Sequence, residues 1–174
     1  MRNTKVTALL ASAMVVGTFA APSPASAQNE QFTPIPIYRT GPYAAGGTGV
    51  YGGMMDYMAM INERDGGVNG VKLTWEECET AYDNARGVEC YERQKKMGPS
   101  GASMFHPLST GITYSVFEKA AADKIPVVSM GYGRGDAMDG RVFPYLFPLI
   151  TTYWSQSTAK IKYIGMKEGG LDKL

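Results

Sequence analysis

The stretch YRTGPYAAGGTG, residues 38–49, carries one charge, Arg39, and is otherwise small or aromatic. From Gly47 it continues as Gly-Thr-Gly-Val-Tyr-Gly, a formal match to the dinucleotide fingerprint G-x-G-x-x-G. Upstream, Phe32–Tyr38 supplies Phe, Ile, Ile and Tyr and reads as a strand, with Pro34 and Pro36 giving it an irregular or edge-like start. Downstream, Val50, Met54, Met55, Met58 and Ile61 recur at helical spacing as far as Arg64. Asp65-Gly66-Gly67 stops that helix. The stretch is thus a small-residue loop between a strand and a helix. The nucleotide reading gains some support from Glu76 and Glu77, which stand roughly where a ribose partner would. Against it, residues 38–46 intervene between strand and glycines, and the first strand lacks an unbroken apolar run. The better reading is a loop whose small residues let backbone approach a ligand and turn into a helix, with no phosphate required.

The rest of the chain continues the alternation. Val71–Glu76 predicts a second strand. Glu79–Lys96 predicts a second helix, with Tyr82, Ala85, Tyr91 and Met97 inward and Gly87 as a weak point. Ser100–Phe105 predicts a third strand and Gly111–Lys124 a third helix, its stripe made by Ile112, Val116, Ala120 and Ala121. Ile125–Met130 is a buried fourth strand, Val142–Leu149 a fifth, and 150–166 a last helix ending at Gly169-Gly170. The order β-α-β-α-β-α-β predicts an α/β fold, a three-layer parallel sheet with helices on both faces. No strand follows the last helix, so the sequence reads as truncated.

The first 27 residues read as a cleaved secretory signal. Arg2 and Lys5 precede an apolar run from Val6 to Ala21, and Ala25-Ser26-Ala27 is a small-x-small cleavage site. A net charge of +1 with interspersed signs gives no basic block for nucleic acid. The two cysteines, Cys78 and Cys90, are an even count in an oxidising compartment and read as a disulfide. One histidine and no C-x-x-C leave a metal site without ligands. An exported protein also meets few nicotinamide cofactors, a further point against the dinucleotide reading.

In an open parallel sheet, ligands bind beyond the carboxyl ends of the strands. Four segments reach that edge: the opening stretch, Cys78–Thr80, His106–Gly111 and Gly131–Gly135. Ser109 and Thr110 stand ahead of a helix, where hydroxyls cap and free amides hold an anion. Gly131 and Gly133 permit close backbone approach, and Tyr132 offers a ring. Arg134 either pairs with an acidic ligand or faces solvent. His106 has no partners for a catalytic triad or acid pair and reads as loop-orienting. The Tyr51–Met60 run reads as core packing.

Five segments together resemble the branched-chain amino acid (Leu/Ile/Val) binding family of ABC-transporter periplasmic substrate-binding proteins. They are Thr40-Gly41-Pro42-Tyr43-Ala44-Ala45-Gly46-Gly47, Ile61–Gly70, the acidic end at Glu76-Glu77, Leu108-Ser109-Thr110, and Ile125-Pro126-Val127-Val128-Ser129. The resemblance runs from about Phe32 to the end. It implies a type I periplasmic-binding fold, a two-lobed clamshell closing on a small solute. Residues 28–149 would be the N-terminal lobe, and 150–174 the hinge and first helix of an incomplete second lobe. Ser109 and Thr110 resemble the carboxylate holders, Gly131 and Gly133 the backbone contacts to amino and carboxylate groups, and Tyr43 a first-loop wall. Tyr132 and Arg134 depart from the small or hydroxyl residues of the pattern, which argues against a plain Leu, Ile or Val ligand. The implied protein is a monomeric, non-enzymatic, periplasmic carrier without a cofactor, delivering an amino-acid-like, amide or carboxylate solute to a membrane permease. Two other readings are an exported Rossmann-type oxidoreductase using Gly47, Gly49 and Gly52, and a ligand sensor on the same fold.

Overall fold

Glu30–Ile35 forms β1, and its parallel partner β2, Lys72–Glu77, runs in register from Glu30 opposite Lys72 to Ile35 opposite Glu77. The computed structural model describes residues 29–130, 133 and 135–173. The signal-peptide reading of residues 1–27, and Gly131, Tyr132 and Arg134, fall outside the described residues. On the other side of β1, Phe32 bridges Ala102 and Phe105 bridges Val127, both in parallel. Val127–Ser129, β3, then pairs in parallel with β4, Leu146–Pro148. The sheet order is therefore β2, β1, the 102–105 segment, β3, β4. The chain steps outward from β1 to β2 and then returns to the far side of β1. Its direction reverses between β1 and the 102–105 segment, the crevice where doubly wound sheets hold ligands.

Helix α1, Ala44–Asp65, links β1 to β2; α2, Asn84–Gln94, leads back; α3, Thr110–Asp123, leads to β3. Two hydrophobic clusters reflect the two helix layers. Tyr51 and Met58 of α1 pack with Ile35, Ile37, Tyr38 and Leu108. Tyr91 of α2 and Ile112, Val116 and Ala120 of α3 pack with Phe105, Val127 and Leu146. This is the expected α/β architecture with helices on both faces. No helix among the described residues is long and apolar enough to cross a membrane.

Several elements differ from expectation. Helix α1 begins at Ala44, not Val50, so the second half of the opening stretch is helix. Gly47 shows why: a Cβ there would lie 2.2 Å from the Tyr38 ring and 2.4 Å from its carbonyl oxygen. That glycine lets the helix start against the exit of β1. Gly46, Gly49, Gly52 and Gly53 would meet nothing within 4 Å. The Gly47, Gly49 and Gly52 fingerprint is accordingly helical, not a loop, and the close approach at Gly47 is to Tyr38. Val50 is exposed, and Tyr51 takes the inward position. Helix α2 starts five residues later than expected, because Glu79–Asp83 is occupied by a turn. Ala85 is exposed, whereas Gly87 is buried, its missing Cβ making room for Ile112. The third strand is reduced to its two bridges; Gly98 and Gly101, at φ of 75° and 80°, break the extended run before Ala102.

At the far end of α1, Gly66 adopts the left-handed C-cap, donating to Ile61. Gly67 follows at φ 97°, and a Cβ there would lie 2.1 Å from the Val71 carbonyl oxygen. This turn brings Asn62 against β2. Its Nδ2 donates to the Leu73 carbonyl at 2.7 Å, and the Leu73 amide donates to its Oδ1 at 2.8 Å. The last helix, α4, spans Tyr153–Glu168, with Thr152 Oγ1 accepting from the Ser155 amide and Gly169 as left-handed C-cap. Of its residues only Gly165 is buried.

Candidate functional site

The loops at the carboxyl edge are built by mutual hydrogen bonding. Arg39, leaving β1, donates from Nε and Nη2 to the two Glu77 oxygens at 2.8 and 2.6 Å. That pairing holds the Glu77 carboxyl below its ordinary range. Glu77 is thus engaged by the first loop. Glu79 accepts from the amides of Arg39 and Ala81, at 2.8 and 2.7 Å, and from the Thr40 hydroxyl at 3.2 Å. Partial desolvation pushes its carboxyl up, but these donors leave it lowered overall. Thr80, fully buried, donates its amide and hydroxyl to the Ile37 carbonyl. Cys78 and Cys90 form the expected disulfide, tying this turn to α2 across a Cα–Cα distance of 5.7 Å.

The next loop, 106–109, is fixed from both sides. The Tyr51 hydroxyl donates to the His106 carbonyl at 2.8 Å and accepts the Leu108 amide at 3.0 Å. Burial pushes the Tyr51 hydroxyl strongly up, so it stays protonated as this arrangement requires. His106 is buried, with Nδ1 2.8 Å from the Val128 carbonyl oxygen. Burial lowers its pKa, which keeps the ring neutral with its proton on Nδ1. His106 therefore orients the loop, as its lack of catalytic partners suggests.

Of the site residues expected from sequence, Ser109 is buried, and its Oγ accepts the Ile112 amide at 3.2 Å. Its hydroxyl is committed to the helix cap. Thr110 lies at the surface edge, its Oγ1 3.0 Å from the Tyr153 hydroxyl at the start of α4. The amides of Thr110 and Gly111, first in α3, have no acceptor among the described residues. Gly133 is buried, and its carbonyl accepts the Tyr153 amide at 3.2 Å. Tyr43 is the N-cap residue of α1 and is 57% exposed. Gly131 and Tyr132, expected beside them, lie outside the described residues. The structure thus brings Tyr43, Thr110 and Gly133 to one sheet edge, with Ser109 beneath.

Sequence reasoning missed three contributors. Tyr82 falls within the expected second helix, but it sits in the Glu79–Asp83 turn with its ring 4.4 Å from that of Tyr43. Asn84 touches the start of α3, where a Cβ on Gly111 would lie 2.5 Å from its Oδ1. Tyr153 links α4 to both Thr110 and Gly133. The available signal was Asp83, a helix N-cap whose side chain accepts the Arg86 amide. No group of three or more His, Cys, Asp or Glu among the described residues could hold a metal.

These features can be set beside known proteins. A crystal structure described as an ABC transporter permease from the Pseudomonas fluorescens group matches with TM-score 0.75 and 44% identity, covering 84% of this chain and 36% of that one. A fatty acid ABC transporter substrate-binding protein from Thermomonospora curvata matches with TM-score 0.69 and 21% identity, over 80% of this chain and 34% of its own. The branched-chain amino acid transporter substrate binding protein LivJ from Streptococcus pneumoniae, solved with isoleucine, gives 0.57 and 20%, over 71% and 33%. The last two establish likeness of fold. The chain spans about a third of the length of these structures. No curated protein matches it. The profile of the family described as periplasmic binding protein matches residues 35–172, from the end of β1 through every loop of the edge to the turn after α4, and the chain belongs to that family.

Proposed function

We propose that this chain is the first lobe of a periplasmic carrier that captures a small solute at the carboxyl edge of its sheet and hands it to the permease of an ABC importer. Residues 1–27 would direct export, and residues 28–149 would form the lobe. Residues 150–174 would lead through the hinge into a second lobe that closes over the solute. The observation that carries this reading is the edge itself. Its loops are pinned by Tyr51, Glu79, Thr80, His106 and the disulfide, while the Thr110 and Gly111 amides at the start of α3 are left without acceptors among the described residues. Amides at a helix start, at the point where strand order reverses, suit a carboxylate or another electron-rich end of a small solute. Among the described residues no nucleophile–base pair is assembled there, since the buried His106 is engaged with a carbonyl, and this supports a binding role over an enzymatic one.

A thermal-shift panel of amino acids, short amides, urea, aromatic carboxylates and NAD(P) tests the reading. At 100 times its dissociation constant a ligand stabilises by about 2.7 kcal/mol. The expected outcome is a shift with one solute class and none with NAD(P). A shift with NAD(P) alone would overturn the proposal.

A further inference from the structure

The rings at the edge form a line that solute capture by itself does not require. Tyr51 is fully buried; the Tyr38 ring lies 5.9 Å from it, Tyr82 5.0 Å from Tyr38, and Tyr43 4.4 Å from Tyr82. The line therefore runs from the core to a ring that is 57% exposed. Its third member reaches its place through an unusual backbone. Ala81 and Tyr82 are consecutive non-glycine residues at φ of 50° and 62°. Asparagine or glycine suits that region, and an aromatic residue does not.

The surroundings impose the conformation. Glu79 Oε1 accepts the Ala81 amide at 2.7 Å, and Thr80 Oγ1 accepts the Tyr82 amide at 3.2 Å. Gly41 stacks so tightly on this turn that a Cβ would lie 2.6 Å from the Ala81 carbonyl oxygen. Two residues beyond Tyr82, Asn84 meets Gly111. The third ring of the line, Tyr82, thus lies two residues from the side chain that touches the start of α3, where the solute is placed above.

We propose that the solute is aromatic: its planar ring stacks on Tyr43, and Tyr82 is a positioning residue that holds the Tyr43 ring in place. The inference rests on the solute-binding reading and adds the substrate class. Rings pair favourably in offset or tilted arrangements, an attraction a saturated ring of equal size does not offer. A branched aliphatic solute would leave the exposed Tyr43 ring at the end of the line without a flat partner.

Benzoate and cyclohexanecarboxylate test this, since they share size and carboxylate and differ in the flat unsaturated ring. Ligand-observed NMR titration of the full chain should show benzoate binding about fivefold tighter, the gain expected from one good ring contact. Tyr43→Leu and Tyr82→Leu should both bring that ratio close to one while cyclohexanecarboxylate binding persists. Tyr82→Phe, which keeps the ring, should preserve the ratio. Equal binding of the two acids by the unmodified chain would overturn the inference, as would parallel loss of both in Tyr82→Leu. Binding of leucine or urea with neither acid bound would overturn it too, leaving the solute-binding reading intact. Absence of binding by every solute would remove that reading and this inference with it.

Discussion

The turn at Glu79–Asp83 and helix α4 stand at opposite extremes of one design question: what holds a segment in its conformation. The turn has poor local geometry, with two residues in the left-handed region, yet a carboxylate, a buried threonine and a disulfide fix it. Helix α4 has good local geometry, a threonine N-cap and a glycine C-cap, yet only Gly165 is buried. Its Trp154 and Met166 are 75% and 81% exposed. Capping and regular dihedrals shape α4 without tertiary burial, whereas the turn exists because of tertiary contacts. The edge is therefore where the folded unit concentrates its constraints, and α4 is where it leaves apolar surface open.

The sharpest way to break this contrast is at α1. Gly47→Leu would press side-chain atoms into the Tyr38 ring and carbonyl, and a loss of about 3 kcal/mol or more is expected in urea unfolding. Gly46→Ala, one residue away with open space around it, should instead stabilise by about 0.5–1 kcal/mol. The same sign for both would mean that glycine content, not approach to β1, governs the helix. Next, the paired replacement Cys78→Ser and Cys90→Ser should cost about 3 kcal/mol for a loop of this size. A loss well below this would show that Glu79 and Thr80 fix the turn unaided.

Tyr51→Phe removes the hydroxyl that serves the His106 carbonyl and the Leu108 amide. Leaving these buried groups unpaired should cost about 1–3 kcal/mol in the same assay. A pH series sharpens the picture further. His106 has a lowered folded pKa, so the unfolded chain binds its proton more readily. Its contribution is present above the unfolded value of about 6.5 and is lost as pH falls from there through the lower folded value. The carboxyls of Glu77, Glu79 and Asp123 are also lowered, but their loss comes below about pH 4.5. Melting temperature should therefore drop between pH 7.5 and 5.5 in the unmodified chain and change less in His106→Gln. The smallest effect belongs to α4: Trp154→Ser with Met166→Gln should move stability by no more than about 0.5 kcal/mol. A larger loss would reveal burial of that face.

The alternation of elements was legible because their apolar periodicities are strong, and the disulfide because an even cysteine count agrees with the export reading of residues 1–27. The start of α1 was not, because glycine propensity argues against a helix at 44–49, while the packing of Gly47 on Tyr38 overrides it. The start of α2 was obscured in the same way: Tyr82 looks like an inward helical residue, and the turn that holds it depends on Arg39, Thr40 and Gly41, some forty positions earlier. At the site, Ser109 was recognisable as a cap. That the cap consumes its hydroxyl, so that the amides of Thr110 and Gly111 are what remains to offer, becomes visible only with the hydrogen bonds in hand.

The pairing of Asn62 with Leu73 has a consequence for how copies of this chain meet one another. Strand β2 lies at the border of the sheet, where an unpaired row of amides and carbonyls is a template for a stray strand, the first step toward fibrils or domain swapping. The Asn62 amide occupies both backbone groups of Leu73, near the start of the strand, as a short neighbouring strand would. A single side chain near the end of a helix thus closes one rung of that open border.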